Sequence, residues 1–114
     1  MNNKKYIVKL KLKETKDRII DLLLQYDYYN YERFVTDIND NSNLIVLEYR
    51  SAFQNVYQSI TIVVTSDNDE CDVLIYESKT TLSISNMLNS KKEVERIIQF
   101  LLKQNVEILY KEYI

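Results

Sequence analysis

The sequence contains no glycine, proline, histidine or tryptophan, and it has one cysteine. Without glycine, the chain lacks the close backbone approach to phosphate on which the Rossmann fingerprint, the P-loop and the kinase glycine loop depend. Without histidine, it has no Ser-His-Asp or Cys-His arrangement and no imidazole base near neutral pH. A lone Cys71 forms neither an internal disulfide nor a thiolate zinc site. Most familiar enzyme classes are thereby excluded, and we expect a protein that is not an enzyme and uses no cofactor.

The remaining composition is that of an ordinary globular domain. Of the 114 residues, 46% are hydrophobic and 28% are charged, and this length corresponds to a single domain over residues 1–114. No apolar run approaches the roughly 18–20 residues that span a bilayer. Residues 1–6 lead directly into an alternating pattern, so we expect no secretory signal. With a single cysteine as well, the sequence favours a cytoplasmic protein.

Charge is distributed unevenly along the chain, although the net charge is only −2. Residues 1–18 carry a charge of +5, residues 19–77 carry −9, and residues 78–114 carry +2. A uniformly basic surface is therefore absent, so we expect neither nucleic acid nor a membrane as a partner. The acidic segment fits either a face that meets a basic partner or solvated turns and strand surfaces.

Hydrophobic periodicity divides most of the chain into strands and one helix. Residues 5–13 alternate between apolar residues and lysines, which predicts a half-buried strand. Residues 15–26 have helical spacing, with Thr15 as the N-cap. Four further stretches rich in β-branched and aromatic residues predict strands, namely 28–38, 44–49, 57–66 and 71–79. They are separated by turn-forming residues at 39–43 and 66–70, which predicts two hairpins.

The C-terminal segment has the strongest helical signal. Ser90 and Glu93 form a capping box, and an apolar stripe follows at helical spacing through Val94, Ile97, Ile98, Leu101 and Leu102, continued by Val106 and Leu109. This pattern predicts a helix over residues 91–111, about 30 Å long. Residues 80–89 fit either a short strand or a loop. The predicted fold is a two-layer α+β domain: an antiparallel sheet of four to five strands with two helices on one face, in the order β-α-β-β-β-β-α.

One segment has the spacing of a calcium loop. Asp37, Asn39, Asn41, Asn43 and Glu48 occupy positions 1, 3, 5, 7 and 12 of a twelve-residue stretch, which resembles the loop of EF-hand proteins. Position 6 is occupied by serine in place of the usual glycine, and the preceding residues have a strand pattern. A hairpin turn rich in Asn and Asp is the alternative. The two interpretations differ over residues 44–57, which form an exit helix in the first and a strand in the second.

A second acidic group lies between the last two predicted strands. It comprises Asp67, Asp69, Glu70 and Asp72. These carboxylates fit a partner-binding acidic tip or a divalent-cation site, and they equally fit a solvated hairpin turn. Cys71 begins a strand, and we expect it to pack and not to react.

Three strand segments carry a resemblance to a known family. Leu-Ile-Val-Leu-Glu-Tyr-Arg, Ser-Ile-Thr-Ile-Val-Val and Cys-Asp-Val-Leu-Ile-Tyr-Glu-Ser, all within residues 44–78, resemble a family of small uncharacterised proteins of low-GC Gram-positive bacteria. That resemblance implies a bacterial protein and no known activity. The element order is similar to that of TATA-binding-protein-like and helix-grip folds, and a shared fold does not define a function.

Three functions are compatible with the sequence. The first is a non-catalytic interaction module that self-associates, or binds a protein partner, through an uncovered sheet face or edge. The second is a small-ligand binder with an apolar pocket between the sheet and the C-terminal helix. The third is an acidic inhibitor or immunity-type protein that binds a basic partner through residues 37–43 and 67–72.

Overall fold

The computed structural model describes residues 2–26, 32–51, 56–81 and 93–114, which form one antiparallel sheet of six strands and two helices. The strands are β1 (Asn2–Leu12), β2 (Glu32–Asn39), β3 (Ser42–Ser51), β4 (Val56–Asp67), β5 (Glu70–Thr81) and β6 (Ile108–Tyr113). The helices are α1 (Lys16–Gln25) and α2 (Glu93–Lys103). In the sheet the strands follow the order β2-β3-β4-β5-β1-β6. The predicted α+β class, both hairpins and the first helix are confirmed.

The strand register aligns one apolar face across the sheet. Val8 of β1 pairs with Ile75 of β5, and Ile75 pairs with Ile62 of β4. Side chains at these inward positions pack in a single core with the apolar stripes of both helices. The fully buried members include Leu12, Ile19, Leu23, Ile45, Leu47, Ile60, Ile62, Ile75, Ile97, Ile98 and Leu101. Both helices therefore lie on one face of the sheet, as the sequence predicts.

Helix α1 begins where the sequence places its cap. The hydroxyl of Thr15 accepts a hydrogen bond from the backbone N–H of Arg18 at 3.3 Å. Asp17 lies in the first turn, where a negative charge is favourable at the positive end of the helix. Ile19, Leu22 and Leu23 form the buried stripe.

The C-terminal helix is shorter than the sequence predicts. It ends at Lys103, and residues 108–113 form a sixth strand that pairs with β1. Asn105 adopts a left-handed conformation with φ of 64°, and the N–H of Val106 donates to the carbonyl of Leu101 at 3.1 Å. These features form a Schellman motif, which terminates the helix and turns the chain back toward the sheet.

This helix end corrects three details of the sequence-based prediction. The sheet has six strands in place of four to five, and the element order gains a final β. Leu102 does not pack against the sheet, because its side chain is 44% exposed on α2. Val106 is buried beyond the helix end and not along a continuing stripe. Ser90 and residues 82–92 lie outside the described residues.

No helix in the described part of the chain is both long and apolar enough to cross a membrane.

Candidate functional site

The proposed calcium-loop residues lie in the β2–β3 hairpin. Asp40 and Asn41 form its turn, and Asp37 pairs with Asn43 across the strands. The amide of Asn43 donates to the carboxylate of Asp37, and its carbonyl oxygen accepts from the Lys16 ammonium. One carboxylate oxygen of Asp37 and the side-chain oxygen of Asn43 are therefore used in contacts between protein groups. Residues 42–51 form a strand, so the exit-helix interpretation is wrong.

Glu48 is separated from the other four residues of the proposed loop. It lies five residues beyond Asn43 on β3, which at 3.4 Å per residue is about 17 Å. It also faces the opposite side of the sheet, because odd and even positions of a strand point in opposite directions. There it accepts a hydrogen bond from the Tyr57 hydroxyl at 3.2 Å. In the described residues, no group of three or more His, Cys, Asp or Glu side chains is placed to hold a metal ion.

The second acidic group forms the β4–β5 turn and the strand ends beside it. Asn68 takes the left-handed conformation, with φ of 58°, that glycine often supplies in tight hairpins. Lys11 on the neighbouring β1 extends toward the carboxylates, 2.7 Å from Asp67 and 3.7 Å from Asp72. The hydrogen bond with Asp67 raises the pKa of Lys11. One lysine thus offsets part of this negative charge.

The two acidic hairpin tips meet at one end of the sheet. The backbone N–H of Ser66 donates to the carbonyl of Asn41 at 2.8 Å, and the Ser66 hydroxyl lies 3.3 Å from the same oxygen. Residues 37–43 and 67–72 therefore form one acidic end, although they are distant in sequence. Asp40 and Asp69 are exposed there.

Cys71 lies near the start of β5, and its side chain is buried in the core. Burial raises the pKa of its thiol to about 12. A protonated and buried thiol is a poor nucleophile, which agrees with the expectation that this cysteine packs.

A buried carboxyl group, which the sequence analysis missed, connects the sheet to α2. Glu77 lies on the inward face of β5 and is 1% exposed. Its carboxylate accepts from the backbone N–H of Val94 at 2.8 Å and from the Gln58 amide at 3.2 Å. Burial raises the pKa of Glu77, and the two hydrogen bonds act in the opposite direction. Glu77 satisfies a backbone donor in the first turn of α2, where helix N–H groups have no partner within the helix.

A second carboxylate extends this contact to α1. Glu93, at the start of α2, is 7% exposed and accepts from the Tyr26 hydroxyl at 2.6 Å. Its other oxygen lies 3.0 Å from the Arg96 guanidinium. The Tyr26 ring also packs edge-on against Phe100, with centroids 5.2 Å apart. These groups attach both helices to each other and to the sheet. All four carboxylate oxygens of Glu77 and Glu93 are used in these contacts.

The space predicted to hold an apolar ligand is filled where the structure describes it. Val94, Ile97, Ile98 and Leu101 of α2 are at most 1% exposed and pack in the core with the inward side chains of the sheet. The small-ligand interpretation stays a prediction, and these residues give it no cavity.

The outward face of the sheet carries an apolar patch among polar and charged side chains, and we call this face the open face. It carries the side chains that alternate with the core positions, and no described helix packs on it. Its apolar members lie side by side on five strands: Ile7, Phe34, Leu44, Val46, Val63, Leu74 and Tyr76. Phe34 is 58% exposed and Leu74 is 38% exposed. The sequence signal for this face is that β3 and β5 have apolar residues in the outward phase as well, at Leu44 and Val46 and at Leu74 and Tyr76.

A cavity of about 350 Å³ opens on the same face. Lys9, Leu74 and Tyr110 contribute to its walls from three adjacent strands, β1, β5 and β6. The Tyr110 hydroxyl donates to Glu112 at 2.6 Å, and this hydrogen bond raises the pKa of Tyr110. The open face therefore has a concave region beside its exposed leucine.

Charged side chains flank the apolar residues of the open face on both sides. On one side Glu32 and Glu48 are register partners on β2 and β3. On the other side β1 presents Lys5 and Lys9, which have no salt bridge within the described ranges. The apolar residues lie between these two sides. Glu112 of β6 also lies on this face, as the register partner of Lys9. The face thus has an apolar centre, with Glu32 and Glu48 at one margin and, at the other, the β1 lysines followed by Glu112 on the edge strand.

No family model matches this chain. No curated protein matches it either. Three solved structures are similar in outline. The Mll3558 protein from Rhizobium loti has 7% identity and a TM-score of 0.46, over 88% of this chain and 95% of that chain. The ZhuI aromatase/cyclase from a Streptomyces species has 8% identity and a TM-score of 0.37, over 91% of this chain and 87% of that chain, and a conserved protein from Geobacillus kaustophilus has 13% identity and a TM-score of 0.37, over 88% of this chain and 91% of that chain. All three scores lie below 0.5, so they assign neither a family nor a function to this chain.

Proposed function

We propose that this protein is a non-catalytic interaction module that contacts protein through the open face of its sheet. The observation that carries the proposal is the apolar strip Val46, Val63, Leu74 and Tyr76, which lies on the side of the sheet opposite both helices. An antiparallel sheet with one face in water usually alternates between apolar and polar residues. This sheet has, in addition to its buried face, a group of neighbouring apolar residues on the face opposite the helices.

The cost of leaving this face in water supports the proposal. Apolar surface contributes roughly 25 cal/mol for each Å² removed from water, and contiguous exposed apolar patches on soluble proteins commonly mark interaction sites. Tyr76 and Phe34 belong to the aromatic types that are enriched where proteins meet. Covering such a patch with protein is therefore favourable.

The buried polar groups have a structural role that fits a module without a reaction. Glu77 and Glu93 accept hydrogen bonds from the backbone of α2, from Gln58 and from Tyr26. These bonds fix the helices on the sheet. The proposal therefore assigns the interior to stability and the open face to function.

Sizing of the tagged protein in extracts of its own host tests this function. Wild-type protein is expected to elute above its 13.7 kDa monomer mass. Leu74→Glu places a charge in the apolar strip and is expected to elute as a monomer. Leu102→Glu is the matched control, because Leu102 has similar exposure, 44% against 38%, but lies on α2. Wild-type protein that elutes as a monomer, or a Leu74→Glu variant that keeps the larger size, contradicts the proposal.

The acidic end is a second candidate surface because the Ser66–Asn41 hydrogen bond brings two acidic hairpin tips together. A basic partner bound there produces a different result in the same experiment. The larger species then survives Leu74→Glu, and it is lost when Asp40 and Asp69 are both replaced by Asn. It also dissociates as salt is raised, because exposed charges are screened.

A further inference from the structure

We propose that the partner on the open face is a second copy of this chain, packed face to face about a two-fold axis that runs along the strands. This inference rests on the proposed function and specifies its partner. The order of the strands, the charges at the two margins and the size of the face support a second copy as the partner.

The strand order determines which strands meet in such a dimer. The axis passes between β4 and β5, the two central strands of the sheet. Rotation about it places β4 over β5 of the second copy and β3 over β1 of the second copy. Positions along the strands keep their level, within the crossing of about 30° that packed twisted sheets adopt.

The charges on the margins become complementary in this arrangement. Glu48, Ser59, Ser78 and Lys5 lie at one level across β3, β4, β5 and β1. Placing β3 over β1 therefore brings Glu48 toward Lys5 of the second copy, and symmetry repeats the contact. Glu32 is the register partner of Glu48 and adds negative charge at this level. Lys9 lies four residues from Lys5, about 14 Å along β1, and its register partner is Glu112.

The other simple two-fold arrangement is unfavourable. With the axis across the strands, β1 lies over β1 and β3 over β3. Lys5 and Lys9 then face the lysines of the second copy, and like charges in contact oppose association. The contact between Glu48 and Lys5 of the second copy therefore favours the axis along the strands.

Apolar residues occupy the centre of the selected arrangement. Val63 and Leu74 are register partners on β4 and β5, and so are Thr61 and Tyr76. Rotation about the axis between these strands brings Val63 over Leu74 of the second copy and Thr61 over Tyr76. An apolar centre with charged margins is the usual composition of a protein interface.

The size of the open face is appropriate for a dimer. Six strands at about 4.8 Å spacing and seven residues at about 3.4 Å give an area of roughly 700 Å² for this six-stranded sheet. A stable interface buries about 800 Å² on each partner. A second copy therefore covers the face without any further element.

A charge-swap experiment on purified protein tests the arrangement. One variant carries Lys5→Glu and Lys9→Glu, and the other carries Glu32→Lys and Glu48→Lys. Sedimentation velocity should show a dimer for the wild type. In each variant the dissociation constant of the dimer should rise about tenfold or more. An equimolar mixture of the two variants should restore the dimer, since each margin then meets the opposite charge. Lys103→Glu, on α2, is the control and should dimerise like the wild type.

The outcomes separate this inference from the proposed function. Wild-type protein that stays monomeric at several hundred micromolar overturns the second-copy inference, whereas the extract experiment with Leu74→Glu still decides the proposed function. A dimer that both variants retain, with no gain on mixing, overturns the arrangement along the strands. A dimer that survives Leu74→Glu shows that the copies meet elsewhere.

Discussion

Replacement of Glu77 tests the contact between the sheet and α2. The Glu77 carboxylate is the acceptor for both the Val94 N–H and the Gln58 amide, at 2.8 and 3.2 Å. Glu77→Ala removes both acceptor oxygens and leaves two buried donors without these bonds. Glu77→Gln keeps one acceptor oxygen and nearly the same shape, so it is the matched control.

The expected loss for Glu77→Ala follows from those two bonds. A buried donor left without its partner costs about 1–3 kcal/mol, so two donors give about 2–6 kcal/mol. Removal of a poorly solvated carboxylate offsets part of this cost, and we expect a net loss of about 2–3 kcal/mol. Domains of this size are stable by about 5–15 kcal/mol, so the variant should fold and unfold at lower urea concentration.

Glu77 also gives unfolding a defined pH dependence. Burial raises its pKa in the folded protein above the ordinary value of 4.5, so in this range the folded state binds more protons than the unfolded state. The contribution of Glu77 is therefore fully present below about pH 4.5 and is lost as pH rises through the folded-state pKa. Glu77→Gln has no such proton, and its stability relative to the wild type should increase between pH 5 and pH 7.

Urea unfolding followed by circular dichroism, at pH 5 and pH 7, measures both effects. The reasoning is refuted by a loss below about 1 kcal/mol for Glu77→Ala, which would mean that the two donors find other partners. It is also refuted by a pH dependence in Glu77→Gln equal to that of the wild type. A Glu77→Gln variant as unstable as Glu77→Ala would show that the side-chain shape and the acceptor oxygen kept by glutamine do not explain the stability that Glu77 provides.

Three further substitutions and reactions test individual contacts. Asn105→Gly should be neutral or stabilising, whereas Asn105→Val should lose about 1–2 kcal/mol because the residue has φ of 64°; urea midpoints decide this, and equal midpoints argue against the Schellman motif. Tyr26→Phe should lose about 1–2 kcal/mol, because Glu93 loses its 2.6 Å hydrogen bond, and an unchanged midpoint contradicts that contact. Cys71 should react with Ellman's reagent only after unfolding, since its thiol is buried with a pKa of about 12; rapid reaction of the folded protein contradicts the packing of β5.

The strands of the sheet were predictable because the alternation and the turn residues that indicate them lie within short stretches of the sequence. In β1 and β4 the alternation of side chains identifies the buried phase directly, as at Val8 and Ile62. The turns at Asp40-Asn41 and Asn68-Asp69 have suitable residues between two such runs. Thr15 likewise identifies the start of α1.

The end of α2 was harder to predict because two signals compete there. Leu102, Val106 and Leu109 continue the helical spacing, whereas Asn105 favours a left-handed cap. The cap prevails because residues 108–113 gain backbone hydrogen bonds to β1. The local sequence does not show that β1 has a free edge at which a further strand can pair. At the end of this helix Asn105 takes the left-handed conformation, φ of 64°, that glycine usually supplies.

The candidate sites show where sequence spacing is insufficient. The oxygen-bearing residues at Asp37, Asn43 and Glu48 match a calcium loop in spacing, but strand geometry puts Glu48 on the other face of the sheet. Glu77 was visible as a charged residue in the inward phase of β5, after Val73 and Ile75. Its partner Val94 is remote in sequence, so the hydrogen bond itself was not predictable.

Photo-crosslinking in cells tests most directly whether protein covers the open face. The amino acid p-benzoylphenylalanine replaces Leu74 in one variant and Leu102 in another, because both side chains are exposed but lie on opposite layers. The account predicts a strong crosslinked product from position 74 alone, at twice the 13.7 kDa chain mass. A product of another mass from position 74 supports the interaction surface and contradicts the second copy. Equal or absent crosslinking at the two positions contradicts the central claim that the open face binds protein.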